Sequence, residues 1–170
     1  MIFIKVVPQK KSDFIIDGQQ IDWVGVPFSY NSAIPEDRAE FVQHNRGIWR
    51  IGERAKDERY IAFTFESKVI CVAEISDIRP SEQYPERSYF VCTPLGPGSP
   101  VYDKWIGKDQ PFAVRSRNPI SYWHDYEIDG TSGWSWRNDD EILDLIDGIA
   151  KRENTRENLI AFLKRTDNQQ

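Results

Sequence analysis

The chain reads as an α+β domain: a mostly antiparallel β-barrel of about seven strands, one helix in the N-terminal half and a helical pair at the C-terminus. Three observations predict it. Short β-branched and aromatic runs recur between Gly, Pro and Asp punctuation, the pattern of strands joined by turns. One stretch, Pro35–Asn45, carries both helix start and helix stop signals. Beyond residue 137 the apolar residues fall three and four apart, where earlier they alternate. The 170 residues fit one domain, with the barrel over 1–136 and a two-helix extension over 137–170.

Taken in order, residues 1–7 (MIFIKVV) form the first strand. Residues 13–17 and 19–26 form a hairpin around Asp17-Gly18, a pair suited to a tight turn. Residues 27–32 are a loop. Pro35 suits the first helical position, Glu36 and Asp37 suit the positive helix end, and Gly47 suits the stop. Ala39, Phe41 and Val42 would be that helix's apolar side. Residues 47–52 form a short strand with Ile48 and Trp49. In residues 59–65, Ile61, Phe63 and Phe65 share one face, and Tyr60, Ala62 and Thr64 the other. A turn at Glu66-Ser67 leads to a strand over 68–75, and another strand covers 88–93. Residues 80–87 and 94–100 are loops broken by Pro and Gly. Residues 101–106 suit one helical turn, and 120–128 are aromatic and extended. Asn138 with Glu141, and Asn154 with Glu157, are capping patterns that open the two terminal helices. Ile142, Leu145, Ile146 and Ile149 stripe the first; Leu159, Ile160, Phe162 and Leu163 stripe the second.

Net charge is −5, so the protein is not coated in positive charge. The distribution is uneven. Residues 44–118 hold twelve Lys and Arg against ten Asp and Glu, whereas residues 137–170 hold six against eight. Cys71 and Cys92 lie in apolar runs and read as buried free thiols, too few for a disulfide framework. The opening apolar run is too short, and too soon broken by Lys5, for a signal peptide. No run reaches the roughly 18 apolar residues of a membrane span. A cytoplasmic location is the expectation, with no membrane partner.

Catalytic signatures are weak. Glu66-Ser67-Lys68 matches a fragment of metal-dependent nuclease motifs, but its turn chemistry favours a solvated hairpin tip. His44 and His124 have no third ligand at metal spacing. No nucleophile elbow and no glycine-rich phosphate loop is present. Neither a cofactor nor a metal is expected, and a binding module is favoured over an enzyme.

What remains is a set of aromatic residues interleaved with basic ones. Arg46-Gly47-Ile48-Trp49-Arg50, Lys104-Trp105-Ile106-Gly107-Lys108, and Arg115-Ser116-Arg117-Asn118-Pro119 leading to Tyr122-Trp123 suit a nucleic-acid reader. Cations hold phosphates and aromatic faces stack on bases. The competing reading is that Trp49, Trp105 and Trp123 fill the core.

These motifs, with Ala39-Glu40-Phe41 before them and the strands at 60–65 and 68–75 between them, resemble a known accessory domain. It is the C-terminal module of certain bacterial GIY-YIG nuclease-like proteins, similar in style to the PUA, ASCH and EVE pseudo-barrels. The likeness spans residues 39–123, about half of the 170. It implies a PUA-like barrel with an aromatic pocket that reads a modified or flipped base. Arg46, Trp49 and Arg50 match the first motif; Lys108, Arg117, Asn118 and Tyr122 match the second. On this reading Trp49, with Trp105 or Trp123, stacks on the base. Arg46, Arg50 and Arg117 hold phosphates, and Asn118 contacts the base edge. Ile48 departs from the pattern, standing where a second aromatic is expected. The implied partner is nucleic acid, modified DNA ahead of RNA. A small ribonuclease on the same scaffold, using His44, Lys68 or Lys108, and an acidic protein-interaction module are the alternatives.

Overall fold

Alternation at both ends of the N-terminal half resolves into a mixed sheet flanked by helices. In chain order the elements are β1 (Ile2–Lys5), β2 (Lys10–Ile16), β3 (Gln19–Val24), α1 (Pro35–Asn45), a 3-10 turn at Glu53–Asp57, β4 (Tyr60–Phe65), β5 (Lys68–Pro80), β6 (Ser88–Pro94), α2 (Pro100–Trp105) and β7 (Ile120–Tyr122). The computed structural model describes residues 1–111, 119–123, 125 and 128, all within the unit Met1–Ile128. Five strands form one sheet in the order β6-β5-β4-β1-β7, and β2 and β3 form a separate ribbon. Among the described strands, only the β1–β4 pair is parallel.

β1 and β4 are central, and both of their faces are covered. Ile2, Ile4, Ile61 and Phe63 face α1, which contributes Phe41 and Val42. Phe3 and Ala62 face α2, which contributes Val101, Tyr102 and Trp105. Burial on two faces explains why these strands are near-continuous apolar runs. The ribbon makes a third cluster, in which Ile16 and Ile21 pack on Ile48 and Tyr89. Its turn at Asp17-Gly18 has φ of 53° and 72°, the left-handed pair that closes a two-residue hairpin.

The helix over Pro35–Asn45 forms with the expected bounds. Its inward stripe differs. Ala39 is exposed, and Arg38, Phe41, Val42 and Asn45 are buried. Those four lie at i, i+3, i+4 and i+7, a helical face whose two polar members hide it from an apolar count. Arg38 donates from Nη1 to the Ser32 carbonyl at 2.6 Å and lies over the Tyr102 ring.

Other expectations are corrected. Residues 47–52 do not form a strand; only Trp49 bridges Ser88, through two N–H···O bonds of 2.9 Å. Ile48 there turns into the ribbon cluster instead. β5 runs past residue 75 to Pro80, because a register shift between Ile75 and Asp77 lets it keep pairing with β6. Among the described residues the strands do not close a barrel. β6 and β7 remain the two sheet edges, and the ribbon pairs only with itself and through the Pro8–Val26 bridge. Of the extended segment expected at 120–128, Ile120–Tyr122 forms a strand, and residues 124, 126 and 127 lie outside the described residues. The helical pair expected over 137–170 lies outside the described residues.

Candidate functional site

Three chain segments meet around a cavity of about 540 Å³. They are the end of β1 with Val6 and Val7, the open end of the β2–β3 ribbon, and the chain leaving α1 at Asn45 and Gly47–Arg50, with Arg87, Pro119 and Ile120 completing the lining. The size falls in the range of small-molecule and nucleotide sites.

Asn45 locks the first junction. Its Oδ1 accepts from the Gly25 N–H at 2.7 Å, and its Nδ2 donates to the carbonyls of Gly25 and Phe41 at 3.0 and 2.9 Å. Gly25 has φ of +97°, and a Cβ there would stand 2.5 Å from the Val7 carbonyl oxygen. Only glycine lets the ribbon come this close to the end of β1. The approach is sealed by Val26 N–H to the Val7 carbonyl and Gln9 N–H to the Val26 carbonyl, at 2.9 and 3.0 Å.

Trp49 is half-buried in the cavity wall. Its indole N–H donates to the Asn45 carbonyl at 3.2 Å, and its backbone is paired with Ser88. The ring therefore has a fixed plane. At Gly47 an added Cβ would meet the Tyr89 Cβ at 2.5 Å, so this segment packs hard on β6.

The lining is strongly cationic. Lys5, Lys10, Lys11, Arg50 and Arg87 face it, against one carboxylate, Asp13. Among the described residues Lys5, Lys10, Lys11 and Arg50 form no ion pair. Arg87 lies over Tyr84, and its Nε is 3.7 Å from the Glu86 carboxylate, an ion pair without a hydrogen bond. Ser12 and Asp13 sit where the ribbon register shifts between Lys11 and Phe14. A bulge of this kind re-aims side chains beside a site.

The structure brings Trp49 and Arg50 to this cavity and sends Arg46, Trp105, Lys108, Tyr122 and Trp123 elsewhere. Arg46 is buried, and its Nη2 donates to Asp17 Oδ2 at 2.8 Å while its guanidinium lies over Tyr89. Tyr89 Oη also donates to Asp17 Oδ1, at 2.6 Å. That bond, followed by the bond and charge of Arg46, holds the Asp17 carboxyl below the usual range. Arg46 thus anchors the hairpin tip. Trp105 belongs to the opposite face of the sheet, edge-on to Phe3, with its indole N–H donating to Asp125 at 2.7 Å. Trp105 and Trp49 cannot share one aromatic cage. Lys108 continues that region, its carbonyl accepting from Val69 N–H. Tyr122 lies under the Arg54 guanidinium, 5.0 Å away, and Trp123 is 38% exposed beyond the same strand. Arg117 and Asn118 lie outside the described residues; the next residue, Pro119, lines the cavity.

Residues proposed for a ribonuclease are not gathered here. His44 stacks on Trp23, and Lys68 pairs with Asp109 at 2.9 Å beside the Glu66-Ser67 turn. Among the described residues no group of three His, Cys, Asp or Glu could hold a metal ion, and no helix is long and apolar enough to cross a membrane. Burial pushes the thiols of Cys71 and Cys92 up to about 12, which suits core residues rather than nucleophiles.

Lys5, Lys10, Lys11 and Arg87 were not legible as site residues. The first three were visible as a cluster of lysines near the start of the chain, but neither their company nor their distance from Trp49 is written in the sequence. The chain matches no family model, no curated protein and no solved structure.

Proposed function

We propose that this protein binds nucleic acid and reads one extruded or modified base in the Trp49 cavity, as a binding module related in style to the PUA and EVE pseudo-barrels. One observation carries the reading: in a chain of net charge −5, five cations and one carboxylate line a cavity that holds an oriented tryptophan. Unpaired lysines at the rim suit phosphates, whose capture releases counterions. The Trp49 face suits a base, because every base presents a π-surface. Extruding a base costs a few kcal/mol, least when it is damaged, mismatched or already unpaired. Such a cavity therefore selects modified or single-stranded substrates, with DNA preferred to RNA.

The test is fluorescence titration with short oligonucleotides: DNA and RNA, single and double stranded, plain and base-modified. Saturable binding by one class is expected. Trp49→Ala should weaken it by about 5- to 150-fold, the value of one base–aromatic stack. Its melting temperature serves as the folding control. Binding that survives in a folded Trp49→Ala protein would sink the assignment of Trp49 to the base.

A further inference from the structure

A second cavity, of about 200 Å³, has the opposite character. Gln9 and Pro27 line it, whereas their near neighbours Lys10 and Gly25 line the first. Its rings are Trp23, Tyr30 and Phe41, its charged groups are Asp37 and Glu40, and among the described residues no Lys or Arg lines it.

The two accessible rings are held in place from behind. Trp23 stacks on His44, with centroids 3.8 Å apart and planes 13° from parallel. Tyr30 Oη donates to the Ile70 carbonyl at 2.9 Å, and its ring lies 4.8 Å from that of Phe41. Asp37 Oδ2 accepts from the Asn31 N–H at 2.8 Å, so the carboxylate is oriented by the loop that precedes α1. Glu40 stands one helical turn on, and among the described residues it forms no ion pair. Phe28, which stands in sequence between the lining residues Pro27 and Ser29, is fully exposed.

The chemistry of this lining selects its ligand. Aromatic faces carry negative charge density, and two carboxylates add full charges, so an anion is repelled. A hard metal ion wants six or more oxygens, which three rings do not provide. A neutral apolar group would leave the carboxylates without a counterion. A bulky, weakly hydrated ammonium matches rings and carboxylates together. We propose that this cavity binds an alkylated ammonium group, carried either by an N-methylated lysine side chain of a peptide or by a free quaternary amine.

The experiment follows the Trp23 indole N–H resonance of the full chain by NMR, identified by its loss in Trp23→Leu. The probes are choline, its uncharged isostere 3,3-dimethylbutan-1-ol, and a short peptide with one trimethyl-lysine. Choline and the peptide should give saturable shifts, with the isostere at least about tenfold weaker, in line with a desolvated cation–π contact. Glu40→Gln, an exposed helix position, should weaken choline by roughly threefold while the fold is kept. Tighter binding of the peptide than of choline assigns the ligand to a protein side chain; equal binding assigns it to a free amine. Equal affinity for the isostere, indifference to Glu40→Gln, or no saturable shift with either cation would overturn the proposal. Should Trp23→Leu fail to fold, the isostere and Glu40→Gln decide alone.

Discussion

Asn45 and Asp17 show how single polar side chains build the candidate site. Asn45 is 2% exposed and satisfies both backbone groups of Gly25 while capping the Phe41 carbonyl. Replacing it with Ala leaves buried donors and acceptors unmade, at about 1–3 kcal/mol each. We expect Asn45→Ala to lower stability by about 3 kcal/mol in urea unfolding, and to weaken oligonucleotide binding because the wall beneath Trp49 loosens. Asp17 acts through pH. The Tyr89 hydroxyl, then Arg46, hold its carboxyl below the usual value. A depressed folded pKa adds stability above the unfolded value of about 3.9, and that stability is lost as pH falls through the folded pKa. Melting temperature should therefore drop below about pH 4 more steeply for the native chain than for Asp17→Asn. Equal acid profiles would show that the hairpin tip does not depend on this carboxylate.

At the scale of elements, the β2–β3 ribbon is what makes the cavity. It stands apart from the five-stranded sheet and is fastened at its turn by Asp17 and at its open end by Gly25 and Val26. Gly25→Ala puts a Cβ against two backbone oxygens at a φ that side chains avoid. We expect a loss of at least about 2 kcal/mol on chemical denaturation. Gly18→Ala is the comparison, since a Cβ there meets nothing within 4 Å and only the positive φ is strained. Helix α1 was legible at its start from Pro35 and the acidic first turn, because local chain geometry sets helix ends, whereas Gly47 follows its end without a positive φ and is required by the close approach of Tyr89. The inward face of α1 was not legible, because Arg38 and Asn45 are buried by partners distant in sequence, among them Gly25 and Tyr102.

At the scale of the molecule, the described residues segregate charge. A net-acidic protein gathers five cations at one cavity and two carboxylates at another. If the first holds phosphates, the logarithm of the affinity should fall linearly with log salt. Each phosphate contact adds a slope of about −0.7 on single strands. The double variant Lys10→Ala, Lys11→Ala should shallow that slope by about 1.4 while leaving base preference intact. An unchanged slope would place the phosphates elsewhere. Of the nine residues expected to bind, Trp49 and Arg50 line this cavity, while Arg46, Trp105, Lys108, Tyr122 and Trp123 are distributed over the hairpin anchor, the far face of the sheet and its edge. Aromatic–basic interleaving marks a residue type and not its direction: in a strand or helix packed on two faces, the same pattern serves core and cavity alike.

By itself the sequence determined the strand-rich α+β class, the hairpin turn at Asp17-Gly18, the bounds of α1 and the two faces of β4. These follow from local rules: φ preferences, capping and periodicity. The tertiary structure alone decided that the sheet and ribbon stay separate among the described residues, that Trp105 lies across the sheet from Trp49, and that Lys5, Lys10, Lys11 and Arg87 converge. Those outcomes depend on strand order, on a parallel β1–β4 pairing between residues some sixty apart, and on the Asn45–Gly25 junction. Each is a long-range contact won by burial and hydrogen bonding, and no local window of the sequence contains both of its partners.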